Sequence, residues 1–333
     1  MAPKIALSVG DVYGIGPEIL IKAFSTTQLL GECIPIVYGP LDAMEFWMAH
    51  SRSTLQIKVI TSVEQAAGEC INILPVNIFS PFDPSFIGKA TVEGGEAALE
   101  AIWESCNDAI VKKVDALVTS PVSKHACAIT YSEFTGHTEL LAALTRSPQV
   151  VMMLIAERMR LALVTTHLPL KEVASALTKD KILSTIALAQ NALRDDFGIA
   201  NPSIAVLGCN PHAGDGGTLG TEENEIILPT IYEALARGMN VKGPFASDAF
   251  FSSRQRESYD LVIAMYHDQG LIPFKMLAQG RGVNFTAGLR IIRTSPDHGT
   301  AFDIAGKGIA DAASMIEAIR AAIAIMHHRA ATS

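Results

Sequence analysis

Short apolar runs alternate with longer segments of helical periodicity along most of the chain. Three of the apolar runs, at residues 161–166, 204–207 and 261–266, are rich in valine, isoleucine or leucine. Runs of this length and composition are typical of buried strands in a mostly parallel sheet. Residues 91–111 instead place their apolar side chains on one face of a helix. The alternation predicts an α/β fold in which helices connect parallel strands.

The chain opens with a predicted strand at residues 4–9, a glycine-containing loop and a helix that runs to about Phe24. Pro17 suits the first turn of that helix. The glycines at positions 10, 14 and 16 permit a tight turn, but their spacing is not the GxGxxG pattern of a dinucleotide-binding fold. We therefore interpret the loop as one that positions a substrate or stabilises a domain edge, and a Rossmann cofactor site is disfavoured.

Each of the three apolar runs leads to a histidine. His167 and His267 directly follow their runs, and His212 follows its run after a short loop. Open α/β sheets build their sites in the crevice outside the carboxyl ends of the strands. Three imidazoles brought together there form a divalent metal site that leaves coordination positions free for a substrate. A single histidine is more often structural, so the prediction depends on the shared placement of all three, because no CxxC or HExxH motif supports it.

The residues beside these histidines add two features. Residues 210–217 form a glycine-rich loop around His212, where backbone N–H groups can approach a ligand. Asp268 follows His267 and could orient its imidazole or serve as a further metal ligand. An ordinary turn residue ahead of Gly270 is an equally good interpretation of Asp268, and the sequence leaves the choice open.

A basic cluster lies in the last third of the chain. It contains Lys275, Arg281, Arg290 and Arg293, with no acidic residue between positions 281 and 293. Elsewhere the basic residues are scattered and balanced by acids, so we expect a negatively charged group, from the fold or from a ligand, close to this cluster. For Arg281 and Arg290 a solvated surface position is an equally good interpretation.

Two further positions suit an anion. Lys124 lies just beyond a predicted strand at residues 116–119, where it could meet an anion or remain solvated. Thr138 and the amides that follow it begin a predicted helix, and a helix N-terminus attracts anions. His137 could add a hydrogen bond there, or could simply pack.

The composition limits the function classes. The chain has 333 residues, of which 49% are hydrophobic and 18% charged, so it can build a sizeable core in one or two domains. A net charge of −8 argues against a nucleic-acid-binding surface. The five cysteines are widely spread and give no disulfide framework. No stretch reaches the ~18 apolar residues of a membrane span, and the opening strand is too short for a signal peptide. We therefore expect a cytoplasmic protein that binds neither nucleic acid nor membrane.

Together these residues carry a resemblance that covers essentially the whole chain. The chain resembles the 4-hydroxythreonine-4-phosphate dehydrogenase family of vitamin B6 biosynthesis. The resemblance rests on residues 14–17 (GIGP), 121–122 (PV) with Lys124, 134–139 (FTGHTE), 165–170 (TTHLPL), 210–214 (NPHAG) with 216–217 (GG), 264–270 (AMYHDQG), 280–284 (GRGVN) and 293–300 (RTSPDHGT).

The resemblance implies two α/β/α three-layer domains like those of the isocitrate and isopropylmalate dehydrogenases, with the active site in the interdomain cleft. The first domain would comprise residues 1–130 with 292–333. The second, residues 131–291, would carry the metal histidines and the dimer contacts. The resemblance also implies a homodimer whose active sites are shared between subunits.

The resemblance further implies site residues and cofactors. His167, His212 and His267 would bind one divalent metal per subunit, zinc, magnesium or cobalt, and would take part in catalysis. The cofactor would be NAD or NADP, bound without a GxGxxG loop. Substrate contacts would come from five residues, of which the lysine is also a catalytic candidate: His137, Thr138, Lys275, Asn284 and Arg293.

The implied reaction is the NAD(P)- and metal-dependent oxidation of a small phosphorylated hydroxy acid, 4-phosphohydroxy-L-threonine, at C3. The product, 2-amino-3-oxo-4-phosphooxybutanoate, decarboxylates to 3-amino-2-oxopropyl phosphate, a precursor of pyridoxal 5′-phosphate. A sister branch of the family oxidises 4-phospho-D-threonate or 4-phospho-D-erythronate. The chain departs from the family pattern at two places. Val12 and Tyr13 stand where the family pattern has proline or another small turn residue. Ser120 and Ser123 stand where many members have glycine and histidine. Ser123 leaves open whether the substrate carries an amino or a hydroxyl group at C2.

Two other classes of protein remain open on the residues alone. A metal-dependent hydrolase that uses three histidines and a bound hydroxide would turn over without nicotinamide. A metal-dependent protein that only binds a phosphorylated ligand would give binding without turnover.

Overall fold

The computed structural model describes residues 2–157 and 159–332, which divide into two compact units. The first unit is Met1–Pro148 with Leu289–His327, and the second is Gln149–Gly288 with His328–Ser333. Each unit joins a continuous stretch of chain to a separate carboxyl-terminal segment.

These limits differ from the predicted ones, which set the domains at 1–130 with 292–333 and at 131–291. The segment that precedes Gln149 groups with the first unit. One contact that holds it there is a hydrogen bond from the backbone N–H of Arg290 to Ser147 Oγ, at 3.3 Å. The two residues are far apart in sequence, so a sequence pattern gives no sign of this grouping.

The strands within the described residues are short and mostly buried. In chain order they are β1 (Lys4–Ser8), β2 (Ile34–Gly39), β3 (Ile57–Val59), β4 (Ile71–Pro75), β5 (Ala116–Thr119), β6 (Val151–Ala156), β7 (Met159–Leu163), β8 (Ser203–Leu207), β9 (Asn240–Phe245), β10 (Leu261–Ala264), β11 (Val283–Ala287) and β12 (Arg293–Pro296).

In the first unit all the strand pairs described are parallel, in the order β3-β4-β2-β1-β5-β12. The central strand β1 lies between β2 and β5, and its Ile5, Ala6 and Leu7 are fully buried. A strand covered on both faces needs a continuous apolar run, which explains the absence of alternation in this segment. At the carboxyl ends of these strands, Ser8 lies opposite Thr119.

The second unit has the strand order β11-β6-β7-β10-β8-β9. Strand β6 pairs antiparallel with β11 and with β7, whereas β7, β10, β8 and β9 run parallel. The three apolar runs that precede the histidines form β7, β8 and β10, so the predicted strands are confirmed.

The described helices connect and cover these strands. They are α1 (Gly16–Ser25), α2 (Leu29–Glu32), α3 (Leu41–His50), α4 (Val92–Ile110), α5 (Lys124–Thr130), α6 (His137–Leu144), α7 (Leu170–Ala176), α8 (Lys179–Asp195), α9 (Leu228–Ala236), α10 (Ser247–Ser252), α11 (His267–Ala278) and α12 (Ala313–Thr332). A π-helical turn, Glu223–Ile227, directly precedes α9.

Hydroxyl side chains fix where several of these helices begin. The Oγ1 atom of Thr91 accepts the Gly94 N–H at the start of α4, and Ser123 Oγ accepts the Ala126 N–H at the start of α5. Such caps satisfy backbone donors that have no partner inside the helix, each worth roughly 1 kcal/mol. Ser123, one of the departures from the family pattern, therefore has a local structural role as a helix cap.

The core of the second unit lies between helix α11 and the strands it covers. Leu161 of β7, Ala264 of β10 and Phe274 of α11 belong to one buried cluster. Gly270 allows this close packing, because a Cβ there would lie 2.6 Å from a methyl carbon of Leu161 and 3.0 Å from Cβ of Ala264. The packing fixes α11, and with it His267 at its first residue.

None of the helices in the described ranges is long and apolar enough to cross a membrane.

Candidate functional site

The strands that lead to the three histidines are neighbours in the second unit. Strand β10 lies between β7 and β8, and the three run parallel. Parallel neighbours have their carboxyl ends at the same edge of the sheet, so the loops that carry His167, His212 and His267 leave from one edge.

His167 and His267 lie together at this edge. Their ring centroids are 6.0 Å apart, and the ring planes are tilted by 41°. Thr165 joins the two segments, because its backbone N–H and its hydroxyl both donate to the carbonyl oxygen of Met265, at 3.1 and 2.7 Å. The two segments are therefore hydrogen-bonded to each other two residues before each of these histidines.

Asp268 contacts the imidazole of His267. The His267 Nδ1 and Asp268 Oδ1 atoms are 2.7 Å apart, and the aspartate side chain is 72% exposed. An imidazole that donates one N–H to a carboxylate presents a lone pair at its other nitrogen, as metal-ligating histidines commonly do. Of the interpretations that the sequence leaves open for Asp268, the geometry favours the orienting role.

Gln269 bridges the loops of His212 and His267. Its Oε1 accepts the Met265 N–H at 2.6 Å, and its Nε2 donates to the carbonyl of Gly208 at 2.5 Å and to Ser247 Oγ at 2.7 Å. Gly208 follows β8 directly and begins the loop to His212. The sequence does not single out this buried residue, because a neutral glutamine gives no electrostatic signal.

His212 lies in a left-handed turn. The φ angles of His212, Ala213, Gly214, Asp215 and Gly216 are 53°, 52°, 81°, 44° and 66°. This region costs a residue other than glycine about 1–2 kcal/mol. Such strain persists only where the surroundings hold it in place, and it clusters at functional sites. The predicted glycine-rich loop is therefore a strained turn that needs support from its neighbours.

Two of the three predicted metal ligands lie near each other. Imidazoles that bind one ion at about 2.1 Å place their ring centroids at most about 6.5 Å apart, and that far only when they lie on opposite sides of the ion. The 6.0 Å between His167 and His267 is below this limit but wider than a tetrahedral site requires. Across residues 2–157 and 159–332, however, no group of three His, Cys, Asp or Glu side chains is close enough to hold one ion. The structure thus brings His167 and His267 together and does not add His212 to them.

Cys209 lies beside this site but is not a reactive thiol. Burial raises the pKa of Cys209 to about 11, and the charges of Glu223 and Glu222 add to the shift. The thiol is therefore mostly protonated near neutral pH and is a weak nucleophile.

Arg293 is a buried guanidinium in the first unit. The residue is 1% exposed, and its Nε and Nη2 donate to Thr119 Oγ1 at 3.1 and 2.6 Å. Burial lowers the pKa of Arg293 to about 10, and the negative charge of Glu139 opposes the shift. The side chain is still cationic at neutral pH. Arg281 and Arg290, in contrast, are exposed, as a solvated surface position requires.

His137, the first residue of α6, lies close to this charge. Burial lowers the pKa of His137 well below its usual value, and the positive charges of Arg293 and Lys124 lower it further. The ring is hydrogen-bonded to the backbone of Ser120. Its Nε2 is buried and has no partner among the described residues. At neutral pH the imidazole is therefore uncharged and presents a lone pair at Nε2.

Gly136 allows the side chains around the start of α6 to approach each other. A Cβ there would lie 2.7 Å from Glu139 Oε2 and 3.7 Å from Lys124 Nζ. The first unit thus gathers His137, Thr138 and Arg293 around one helix start. Lys124, whose role the sequence leaves open, belongs to the same group.

The remaining predicted substrate residues belong to the second unit. Lys275 is exposed in the last turn of α11. Asn284 lies in β11 opposite Leu154 of β6. Its Oδ1 is buried without a partner in the part of the chain that the structure describes. The five predicted substrate residues therefore divide three to two between the units.

Comparison of the whole chain with known proteins finds relatives that are dehydrogenases of phosphate esters. The crystal structure of 4-hydroxythreonine-4-phosphate dehydrogenase from Klebsiella pneumoniae matches with a TM-score of 0.86 and 37% identity over 98% of each chain. The curated 4-hydroxythreonine-4-phosphate dehydrogenase of Desulforapulum autotrophicum is 42% identical, covering 96% of this chain and 94% of the relative. The D-threonate 4-phosphate dehydrogenase of Cupriavidus necator is 40% identical over 98% of each chain.

The family described as "Pyridoxal phosphate biosynthetic protein PdxA" matches residues 31–322. The chain belongs to this family. The resemblance seen in the sequence is confirmed, as is the α/β fold class that it implied.

Proposed function

We propose that the chain catalyses the NAD(P)- and divalent-metal-dependent oxidation of 4-phosphohydroxy-L-threonine at C3, giving 2-amino-3-oxo-4-phosphooxybutanoate, which decarboxylates to 3-amino-2-oxopropyl phosphate. The observation that carries the proposal is the pair His167 and His267, 6.0 Å apart at neighbouring strand ends of a chain 42% identical to a dehydrogenase named for this substrate.

We assign one divalent ion to His167, His212 and His267. When bound, the ion would polarise the substrate hydroxyl as hydride leaves C3 and would stabilise negative charge as carbon dioxide departs. Asp268 would fix the orientation of the His267 ring. Zinc, magnesium and cobalt are the candidates, and three imidazoles suit zinc or cobalt better than magnesium, which prefers oxygen ligands.

The first unit would bind the anionic groups of the substrate. Arg293 offers a planar fork that matches a phosphate or a carboxylate, and the amides that begin α6 at Thr138 suit the same groups. The buried Nε2 of the neutral His137 would accept a hydrogen bond from a hydroxyl or ammonium group of the substrate.

Lys275 and Asn284 would complete the substrate contacts. The ammonium of Lys275 carries three donors and can bind an anion, and it is our candidate for moving a proton at Nζ during decarboxylation. The buried Oδ1 of Asn284 would accept a donor from the substrate. NAD or NADP would take the hydride, and the protein would supply orientation.

The active form would be a homodimer with shared active sites. Support comes from α11, where Ile272 and Met276 are 59% and 74% exposed and lie four residues apart on one face. Leu170, just after His167, is 74% exposed. Large apolar side chains grouped on a surface mark interaction sites, and these lie beside two of the proposed metal ligands. The free cysteines suit a reducing compartment, so we propose a cytoplasmic enzyme.

A second candidate substrate is 4-phospho-D-threonate or 4-phospho-D-erythronate. The 40% identity with a D-threonate 4-phosphate dehydrogenase is close to the 42% identity with a 4-hydroxythreonine-4-phosphate dehydrogenase, so identity alone does not separate them. Ser123, where many members of the family have histidine, leaves the C2 substituent of the substrate open.

An assay of NADH formation tests the proposal and separates the candidates. The purified protein is incubated with zinc, NAD and, in turn, 4-phosphohydroxythreonine, 4-phospho-D-threonate and 4-phospho-D-erythronate. The proposal predicts the highest kcat/KM for 4-phosphohydroxythreonine. A preference for a 2-hydroxy substrate would replace it with the second candidate. Turnover without nicotinamide would indicate a hydrolase, and binding without turnover would indicate a binding protein.

A further inference from the structure

The turn that carries His212 has no regular secondary structure to hold it. Its residues have left-handed backbone angles from His212 to Gly216, and both His212 and Asp215 are exposed. A turn of this kind would relax to other conformations unless a neighbouring group fixed it.

Glu223 is that neighbouring group. Its Oε1 accepts the backbone N–H of Cys209 and of Asn210, each at 2.7 Å, and its Oε2 accepts Nδ2 of Asn210 at 2.9 Å. The residue is 3% exposed. A buried carboxylate with three N–H donors fixes the two residues that lead into the turn.

The glycines of the loop make room for this carboxylate. A Cβ on Gly214 would lie 2.6 Å from Glu223 Oε2, and a Cβ on Gly208 would lie 3.1 Å from Glu223 Oε1. The left-handed turn therefore closes around the glutamate side chain. The π-helical turn that begins at Glu223 is a further local irregularity of a kind frequent at functional sites.

We propose that Glu223 is a positioning residue that holds His212 in the orientation needed to bind the metal ion, without contacting the ion itself. The proposal depends on the proposed function, because it takes His212 to be a ligand. Glu223 acts through the backbone of residues 209 and 210, and the strain of the turn is maintained by the hydrogen bonds to its carboxylate.

The test is a cobalt titration followed by visible absorption, which reports the ligand geometry of the ion without any turnover. The variants are Glu223→Gln, His212→Ala and the double variant. Glu223→Gln keeps the shape but presents an NH2 group to the donor Nδ2 of Asn210. The matched control is Glu225→Gln, which changes an exposed glutamate in the same π-helical turn.

Glu223→Gln is expected to weaken cobalt affinity 10- to 100-fold, the range typical of residues that support a metal ligand, and to change the cobalt spectrum. Glu225→Gln should leave both unchanged. Adding Glu223→Gln to His212→Ala should produce no further loss of affinity, because the two residues act in one chain of contacts.

Three outcomes would overturn the proposal in distinguishable ways. Normal cobalt affinity in Glu223→Gln together with weakened affinity in His212→Ala rejects the role of Glu223 alone, even if the melting temperature falls. Normal affinity in His212→Ala rejects the metal site and the positioning role with it. An additive loss in the double variant shows that Glu223 acts elsewhere.

Should Glu223→Gln fail to fold, Gly214→Ala tests the same contact from the other side. Its Cβ would displace the Glu223 carboxylate, so the same loss of cobalt affinity is expected. Unchanged affinity in a folded Gly214→Ala protein would reject the proposal.

Discussion

One buried carboxyl group, that of Asp11, makes the stability of the first unit depend on pH. Asp11 is fully buried, its Oδ1 accepts the Tyr13 N–H at 3.0 Å, and its Oδ2 has no partner among the described residues. Burial raises the pKa of Asp11 to about 7, against the opposing effect of the Tyr13 hydrogen bond. Between pH 4 and pH 7 the folded protein therefore holds a proton at Asp11 that the unfolded chain has released.

The variant Asp11→Asn, which cannot bind or release this proton, should be more stable than the unmodified protein at high pH only. Because the folded state binds more protons than the unfolded state over this window, the stability of the unmodified protein falls as pH rises from about 4 to about 7. A difference of three pKa units corresponds to at most about 4 kcal/mol. Asp11→Asn should match the unmodified protein near pH 4 and exceed it in melting temperature at pH 8. An equal difference at both pH values would contradict the assignment.

Arg293→Lys tests the proposed anion contact. Lysine keeps the charge but cannot present two parallel N–H donors, so a loss of about 1.5–3 kcal/mol is expected for the charged hydrogen bond. This corresponds to a rise of about 10- to 150-fold in KM for the phosphorylated substrate, with metal content and the KM for NAD little changed. A defect confined to the NAD KM, or to the melting temperature, would show that Arg293 is not a substrate ligand.

At the scale of elements, helix α11 packs closely against β7 and β10. This packing positions His267, which is the first residue of the helix. Gly270→Ala adds a methyl group 2.6 Å from a Leu161 methyl carbon and 3.0 Å from the Ala264 Cβ. Overpacking of this kind costs typically 1–3 kcal/mol. The matched control is Gly31→Ala, where an added Cβ would meet nothing within 4 Å.

Denaturant unfolding of the two glycine variants is the measurement. Gly270→Ala should be destabilised by about 1–3 kcal/mol and should bind cobalt more weakly, because His267 moves with the helix. Gly31→Ala should be neutral or stabilising by up to about 1 kcal/mol, because alanine favours a helix over glycine. An equal effect of both substitutions would mean that α11 is not held by this contact.

The same elements explain what the sequence could and could not predict. The strands β7, β8 and β10 were predictable because each is a continuous apolar run, and α4 because its apolar residues follow helical spacing. Strands β9, β11 and β12 carry glycine, proline, asparagine, threonine and arginine, so they give no apolar signal. Their pairing is determined by tertiary context.

The sequence singles out candidate site residues only where a single residue carries chemistry. His267 and Arg293 stand out by type and by surroundings. Thr119, Glu223 and Gln269 act through hydrogen bonds to residues distant in the chain, and nothing in their local sequence indicates these partners. The left-handed backbone at His212 could not be predicted from the sequence either. The glycine content indicates that a turn is possible, but it does not determine the conformation of the turn.

At the scale of the whole molecule, the proposed shared site gives a prediction about mixed dimers. His167 and His267 lie together within one chain, so the subunit that shares their ion would supply His212. In a mixed dimer of His212→Ala with His267→Ala, one site would carry both substitutions and the other would be intact.

Mixing the two variants after mild dissociation should therefore restore up to about a quarter of the unmodified activity, since half of the dimers would be mixed and half of their sites intact. If all ligands came from one chain, each site in the mixed dimer would lack one histidine. Absence of any recovery, with mixed dimers demonstrated by mass spectrometry, would contradict a site shared in this way.

The most direct test of the account is zinc-dependent NADH formation from 4-phosphohydroxythreonine by the metal-free protein and by its His212→Ala variant. The account predicts that the unmodified protein regains activity as zinc reaches one equivalent per subunit. His212→Ala should stay nearly inactive with an unchanged melting temperature. Full activity without a divalent metal, or normal metal content and turnover in His212→Ala, would contradict the account.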